Sequence, residues 1–162
     1  MIKFLIRDAF HYAIVFLLSV VFIVVSVQAE TNVTIRKIEE SALDEIIGAK
    51  DNRIVVAFMA AWCAPCIQEL SDLNRLDSKY KNRGFNLIGI SIDPEGPEAM
   101  QPVLDQMGIN FPVYWYGEKS VLKYNLHAIP MLLFVRQGQI TERLRGKPAT
   151  AYLDKKIREF LK

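Results

Sequence analysis

Cysteine and histidine are nearly missing from this chain, with two of each in 162 residues. Past the first thirty positions His127 is the only histidine, so Cys63 and Cys66 lack the two further ligands that tetrahedral zinc would need within one chain. A purely structural bridge is also a poor explanation of the pair, because closing so small a loop removes little entropy from the unfolded chain. Charge of one sign is scarce too. The formal net charge is +2 with the signs intermixed, and no basic stripe or platform of aromatics and arginines marks a nucleic-acid partner. Repeats and low-complexity linkers are absent. With 51% of its residues hydrophobic, the chain has material for one cored domain and is too short for two.

The N-terminus differs from the rest. Lys3 and Arg7 precede a nearly unbroken apolar stretch, Tyr12 to Val25, and Val27-Gln28-Ala29 sets small residues ahead of Glu30. Basic, apolar and small residues in that order make a bacterial export signal. The stretch falls short of the roughly 20 residues that span a bilayer comfortably, which favours a cleaved signal over an uncleaved anchor. Residues 1–29 are therefore expected to be the signal or anchor and residues 30–162 the folded domain. The positive residues come first, so the domain should lie outside the cytoplasm, in the periplasm or on the outer face of the membrane. Membrane contact is expected only through the N-terminal segment, and the protein is expected to be a monomer. Most of the basic excess belongs to that segment, which carries Lys3 and Arg7 against Asp8 alone.

Beyond it, helical and strand-like patterns alternate. After an extended lead, Val33 to Ile38, Ser41 is placed to cap a helix with Asp44 three residues on and Leu43, Ile46 and Ile47 on one face. Ile54 to Ala60 is a continuous apolar run suited to a central strand covered on both faces. From Cys66 through Ile67, Leu70, Leu73, Leu76 and Tyr80 the apolar spacing of three and four defines a helix ending near Gly84. Leu87 to Ile92 reads as a second buried strand and Asp93-Pro94-Glu95-Gly96-Pro97 as a turn. Pro102 makes the next helix kinked or late-starting. Phe111 to Tyr114 is a short extended piece, Glu118 to Asn125 a short helix, and Met131 to Val135 a third buried strand. Gln137-Gly138-Gln139 turns the chain into an edge strand, Ile140 to Arg145, before a closing amphipathic helix through Tyr152 and Phe160. This order predicts an α/β sandwich with a mixed sheet.

Cys63-Ala64-Pro65-Cys66 thus stands where a buried strand gives way to a helix. A sulfur at a helix N-terminus meets unsatisfied N–H groups and the positive end of the dipole, which favours thiolate over thiol. Cys63 is the expected nucleophile. Cys66, one turn inside and more buried, is placed to attack a mixed disulfide and release the partner. Pro65 fits the first turn, where its missing N–H costs little. Two rival readings remain: a pair of inert buried thiols, or a soft-metal site in which the cysteines carry Cu(I), aided by His127. Trp62 either contacts partners or packs into the core. Glu69 shares a helix face with Cys66, so it is either a partly buried proton carrier or a solvated surface acid.

Val55-Val56-Ala57-Phe58-Met59-Ala60-Ala61-Trp62-Cys63-Ala64-Pro65-Cys66, followed by Leu126-His127-Ala128-Ile129-Pro130-Met131-Leu132-Leu133-Phe134, resembles the thioredoxin superfamily. The export segment, the long stretch between Ile92 and Glu118, and Cys66-Ile67-Gln68-Glu69 make it most similar to the ResA/TlpA branch of extracytoplasmic thiol-disulfide oxidoreductases. The resemblance covers about Ser41 to Leu161. It implies a thioredoxin-like three-layer sandwich and a redox-active Cys63–Cys66 disulfide with no other cofactor and no metal. It also implies a cis peptide at Pro130, which sets Ile129 and Pro130 against a substrate segment, where the residues alone allow a trans proline opening a strand. Glu69 matches the acid of that branch, and Gly146 the glycine near the groove. Two departures stand out: Ala57 occupies the strand position of the buried aspartate of cytoplasmic thioredoxins, and Met131 follows the proline where threonine is frequent. The implied partners are proteins with disulfides, such as those of cytochrome c maturation or copper-site assembly. A membrane thiol carrier would be the electron donor, and the opposite role, an exported thiol oxidant, is the alternative.

Overall fold

The computed structural model describes residues 33–51 and 53–162, so the expected signal or anchor over 1–29 lies outside the described residues. Among the described residues six strands and five α-helices follow one another: β1 (Arg36–Lys37), α1 (Glu40–Gly48), β2 (Arg53–Met59), α2 (Ala64–Tyr80), β3 (Asn86–Ser91), α3 (Pro97–Met107), β4 (Val113–Trp115), α4 (Lys119–Lys123), β5 (Met131–Arg136), β6 (Gln139–Arg145) and α5 (Thr150–Phe160), with a short 3-10 turn, Lys81–Arg83, after α2. The three apolar runs without polar alternation become β2, β3 and β5, buried on both faces. They form the middle of one sheet of order β1-β4-β3-β2-β5-β6. Neighbours from β1 to β2 run parallel, while β5 and β6 are antiparallel.

Strand register shows how the layers form. Val55 pairs with Phe134 and Phe58 with Met131, so Phe134 and Phe58 point to opposite faces of the sheet. The Phe134 ring meets Phe160 of α5 at 5.2 Å, and the Phe58 ring meets Tyr124, just past α4, at 5.1 Å. Helix α2 joins the α5 layer, where Tyr80 and Lys79 donate to Asp154 at 2.9 and 2.7 Å. On the other face Lys123 ties α4 to Glu40 and Asp44 of α1, at 2.7 Å each. The result is the three-layer sandwich with a mixed sheet. Among the described residues no helix is long and apolar enough to cross a membrane.

Three local expectations change. Helix α1 starts at Glu40 with Glu39 as its cap, the Glu39 carbonyl accepting from the Leu43 N–H at 3.0 Å, and Ser41 lies inside the first turn. The turn ahead of Leu43 is helical and aims that side chain into the core, and Glu40 adds an acid at the positive end of the helix. Helix α3 starts at Pro97 and continues through Pro102, so it is not late-starting. Pro102 forfeits only the bond its missing N–H would make to the Glu98 carbonyl. The β5–β6 hairpin turns on Gln137 and Gly138 alone, with φ of 53° and 74°, as a two-residue turn matching strand twist requires, and Gln139 already belongs to β6.

Candidate active site

Strand β2 delivers the chain to the top of the sheet, where Ala60 to Trp62 turn it into α2. The Cys63 N–H closes the turn on the Ala60 carbonyl at 3.1 Å. Cys63 is the N-cap of α2, in extended conformation, and Pro65 occupies the first turn. The two sulfurs are joined, with S–S 2.10 Å and Cα atoms 5.2 Å apart. The Cys66 N–H, one of the donors that a helix start leaves without a carbonyl partner, points at Cys63 Sγ at 3.3 Å. Both cysteines are buried, Cys63 keeping 5% of its surface exposed and Cys66 2%.

The second half of the site is the loop ahead of β5. The Ile129–Pro130 peptide is cis, as the resemblance implies. The Pro130 carbonyl accepts from the Gly146 N–H at 2.8 Å, and Gly146 takes φ +71°, a conformation that glycine adopts without a side-chain penalty. Trp62, Ile92, Val121, Leu126, His127, Ala128 and Ile129 line a groove of about 380 Å³. Trp62 is 63% exposed, so core packing is not its role, and His127 is exposed on the rim. Among the described residues no group of three or more His, Cys, Asp or Glu side chains is arranged to hold a metal.

Glu69 is not the solvated surface acid. It lies on the buried side of α2, 2% exposed, and its Oε1 has no hydrogen-bond partner within the protein. Burial pushes its carboxyl up to about 8, with Lys147 pulling against that shift and Asp72 adding to it. Ala57, buried in β2, leaves the core at that strand position without an acid.

One site residue escaped the sequence reading. Asp93, which the sequence presents as part of a turn, is fully buried two residues past the end of β3. Its Oδ1 and Oδ2 accept from the Ala61 N–H at 2.9 and 3.2 Å, the Ser91 hydroxyl donates to Oδ2 at 2.7 Å, and its carbonyl accepts from Trp115 Nε1 at 2.7 Å. Asp93 therefore fixes the backbone two residues before Cys63. An acid directly following a buried strand was the available signal, and its neighbour Pro94 disguised it as loop chemistry.

The profile of the AhpC/TSA family matches residues 25–142, which include both cysteines, Glu69, Asp93 and Pro130. The chain belongs to the AhpC/TSA family. Among curated proteins it is similar to the thiol-disulfide oxidoreductase ResA of Bacillus thuringiensis, at 28% identity over 112 residues, 68% of this chain and 64% of that protein. The ResA of Oceanobacillus iheyensis is 30% identical over 97 residues, 57% of this chain and 49% of its own length. The chain thus spans just under two thirds of the first of these relatives. Among solved structures, a thioredoxin-family thiol:disulfide interchange protein from Chlorobium tepidum superposes with TM-score 0.62 at 23% identity, covering 70% of this chain and 82% of that one. A secreted disulfide oxidoreductase of Mycobacterium tuberculosis does so with TM-score 0.60 at 18% identity, over 68% and 83%. Those likenesses establish the thioredoxin-like fold of this AhpC/TSA member.

Proposed function

We propose that the protein is an extracytoplasmic thiol-disulfide oxidoreductase that reduces specific protein disulfides through Cys63 and Cys66. The observation that carries this reading is the Cys63–Cys66 disulfide at the start of α2, with the Cys66 N–H on Cys63 Sγ. A helix start stabilises a Cys63 thiolate once the bridge is opened. That thiolate attacks a client disulfide, forming a mixed disulfide and expelling one client thiolate, which takes a proton from water. Cys66 then gives its proton to the Glu69 carboxylate and attacks Cys63 Sγ, which re-forms the intramolecular bridge and expels the second client thiolate. Two electrons pass to the client. Burial that holds the Glu69 carboxyl up to about 8 gives it a hold on a proton that an ordinary carboxylate lacks at neutral pH, which suits it to take one from Cys66.

Trp62, Ile129 and Pro130 form the docking face. A client segment lies extended in the groove, its backbone meeting Ile129 and its apolar side chains meeting the exposed Trp62 ring. The naming of curated relatives as thiol-disulfide oxidoreductases and the description of a solved relative as secreted support this reading. So does the basic-then-apolar order of residues 1–29. Clients of the kind met in cytochrome c maturation, and a membrane thiol carrier that returns electrons to the pair, complete the proposal. Equilibration with dithiothreitol or glutathione buffers tests the direction. A reductant should have a potential near that of thioredoxin, about −270 mV, whereas a value near the −120 mV of a dedicated oxidant would overturn it.

A further inference from the structure

Glu69 does not stand alone on its helix. Asp72, one turn along α2, shares its face, and the loop between β6 and α5 reaches Asp72 through Lys147. That loop is fastened at two points: the Gly146 N–H bonds to the Pro130 carbonyl at 2.8 Å, and the Thr150 hydroxyl donates to Asp72 Oδ2 at 2.8 Å. Between the fastenings Lys147 Nζ stands 3.7 Å from Asp72 Oδ2, with 30% of its side chain exposed and 20% of that of Asp72. Arg75, at 3.4 Å, holds the other Asp72 oxygen on the outer side of the helix. Glu69 is thus one helical turn from the Asp72 anion, and the Lys147 cation stands beside that anion; the two charges pull the Glu69 carboxyl in opposite senses.

We propose that Lys147 and Asp72 are an opposed pair of positioning residues that set the charge on the buried Glu69, Lys147 favouring its carboxylate and Asp72 its acid form. The salt bridge between them keeps the pair in balance. Removing the lysine leaves Glu69 beside an Asp72 that Arg75 still holds on its outer oxygen, with no cation on the loop side, and makes the Glu69 carboxylate harder to form. Removing the Asp72 charge frees the lysine to act on Glu69 alone and makes it easier. A pair that merely fastened the loop would behave differently, since losing either partner would loosen the same contact and move Glu69 in the same sense. The proposal rests on the reading of Glu69 as proton carrier only for its consequence in exchange, not for the charge itself.

The test is the titration of the Glu69 carboxyl by carbon-13 NMR on the full chain in its disulfide form, where neither cysteine titrates, with Glu69→Gln identifying the resonance. Lys147→Met should raise the midpoint and Asp72→Asn should lower it, each by about one pH unit or less, while Lys147→Arg should leave it in place. Shifts in the same direction, or no shift in Lys147→Met, would overturn the pairing. The pH profile of disulfide exchange by the same variants is read separately. Opposed shifts of Glu69 with an unmoved exchange profile would uphold the pair and refute Glu69 as the proton carrier.

Discussion

Glu69 and Asp93 are two buried acids held in opposite ways, and each makes its own prediction. Glu69 has one oxygen without a protein partner and is held up to about 8 by burial, so the folded state binds a proton that the unfolded chain, with its ordinary value of 4.5, releases. The stability linked to that proton is fully present below about pH 4.5, is lost as the pH rises toward 8, and is level above. Asp77, also raised by burial, acts in the same sense. Chemical unfolding of the disulfide form should therefore show stability falling from pH 5 to 8, with Glu69→Gln removing the larger part of a decline of a few kcal/mol. Asp93 instead has its carboxylate filled with donors. Asp93→Ala strands the Ala61 N–H and should cost about 1–3 kcal/mol and slow alkylation of reduced Cys63, whereas Asp93→Asn, which keeps an acceptor, should do less of both. The cysteines, Pro130 and the place of Glu69 on the helix were legible in the sequence. Glu69 was legible only as an alternative, because spacing puts a side chain on a face and does not say what covers that face. Asp93 was illegible as a site residue because its partner is a backbone N–H thirty-two positions away.

Helix α2 joins chemistry to core. Its first turn caps the sulfur, and its later turns bury Leu70, Leu73 and Leu76 almost completely against the sheet. The apolar spacing that predicts this helix also anchors the cysteine pair. Leu73→Ala, which leaves a cavity in that contact, should lower the unfolding free energy by about 2–5 kcal/mol in a denaturant titration while keeping the reactivity of Cys63 in the folded protein. Strongly periodic or continuously apolar segments, α2, β2, β3 and β5, were readable because burial dictates their residues. Helix ends were not. The start of α1 is set by where Leu43 must point rather than by the serine that looked like its cap, and α3 continues through Pro102 because its loss of one backbone bond is borne by the packing of Met100 and Leu104.

The alternation of strands and helices fixes three layers, but the order β1-β4-β3-β2-β5-β6 depends on pairings that no local pattern records. The sequence shows two buried runs, β2 and β5, and nothing in either says that they lie side by side and antiparallel. That pairing brings the Pro130 loop to the same end of the sheet as Cys63, and with it a groove between Trp62 and Ile129. Family resemblance, rather than periodicity, supplied this juxtaposition. The reading of the whole molecule is an exchange couple in which Cys63 takes the client and Cys66 releases it, and mixed-disulfide trapping measures it most directly. Cys66→Ser, expressed in a host with natural clients, should accumulate dithiothreitol-sensitive conjugates joined through Cys63, and the Cys63→Ser/Cys66→Ser variant should accumulate none. Conjugates formed by Cys63→Ser instead, or by neither single variant, would contradict it.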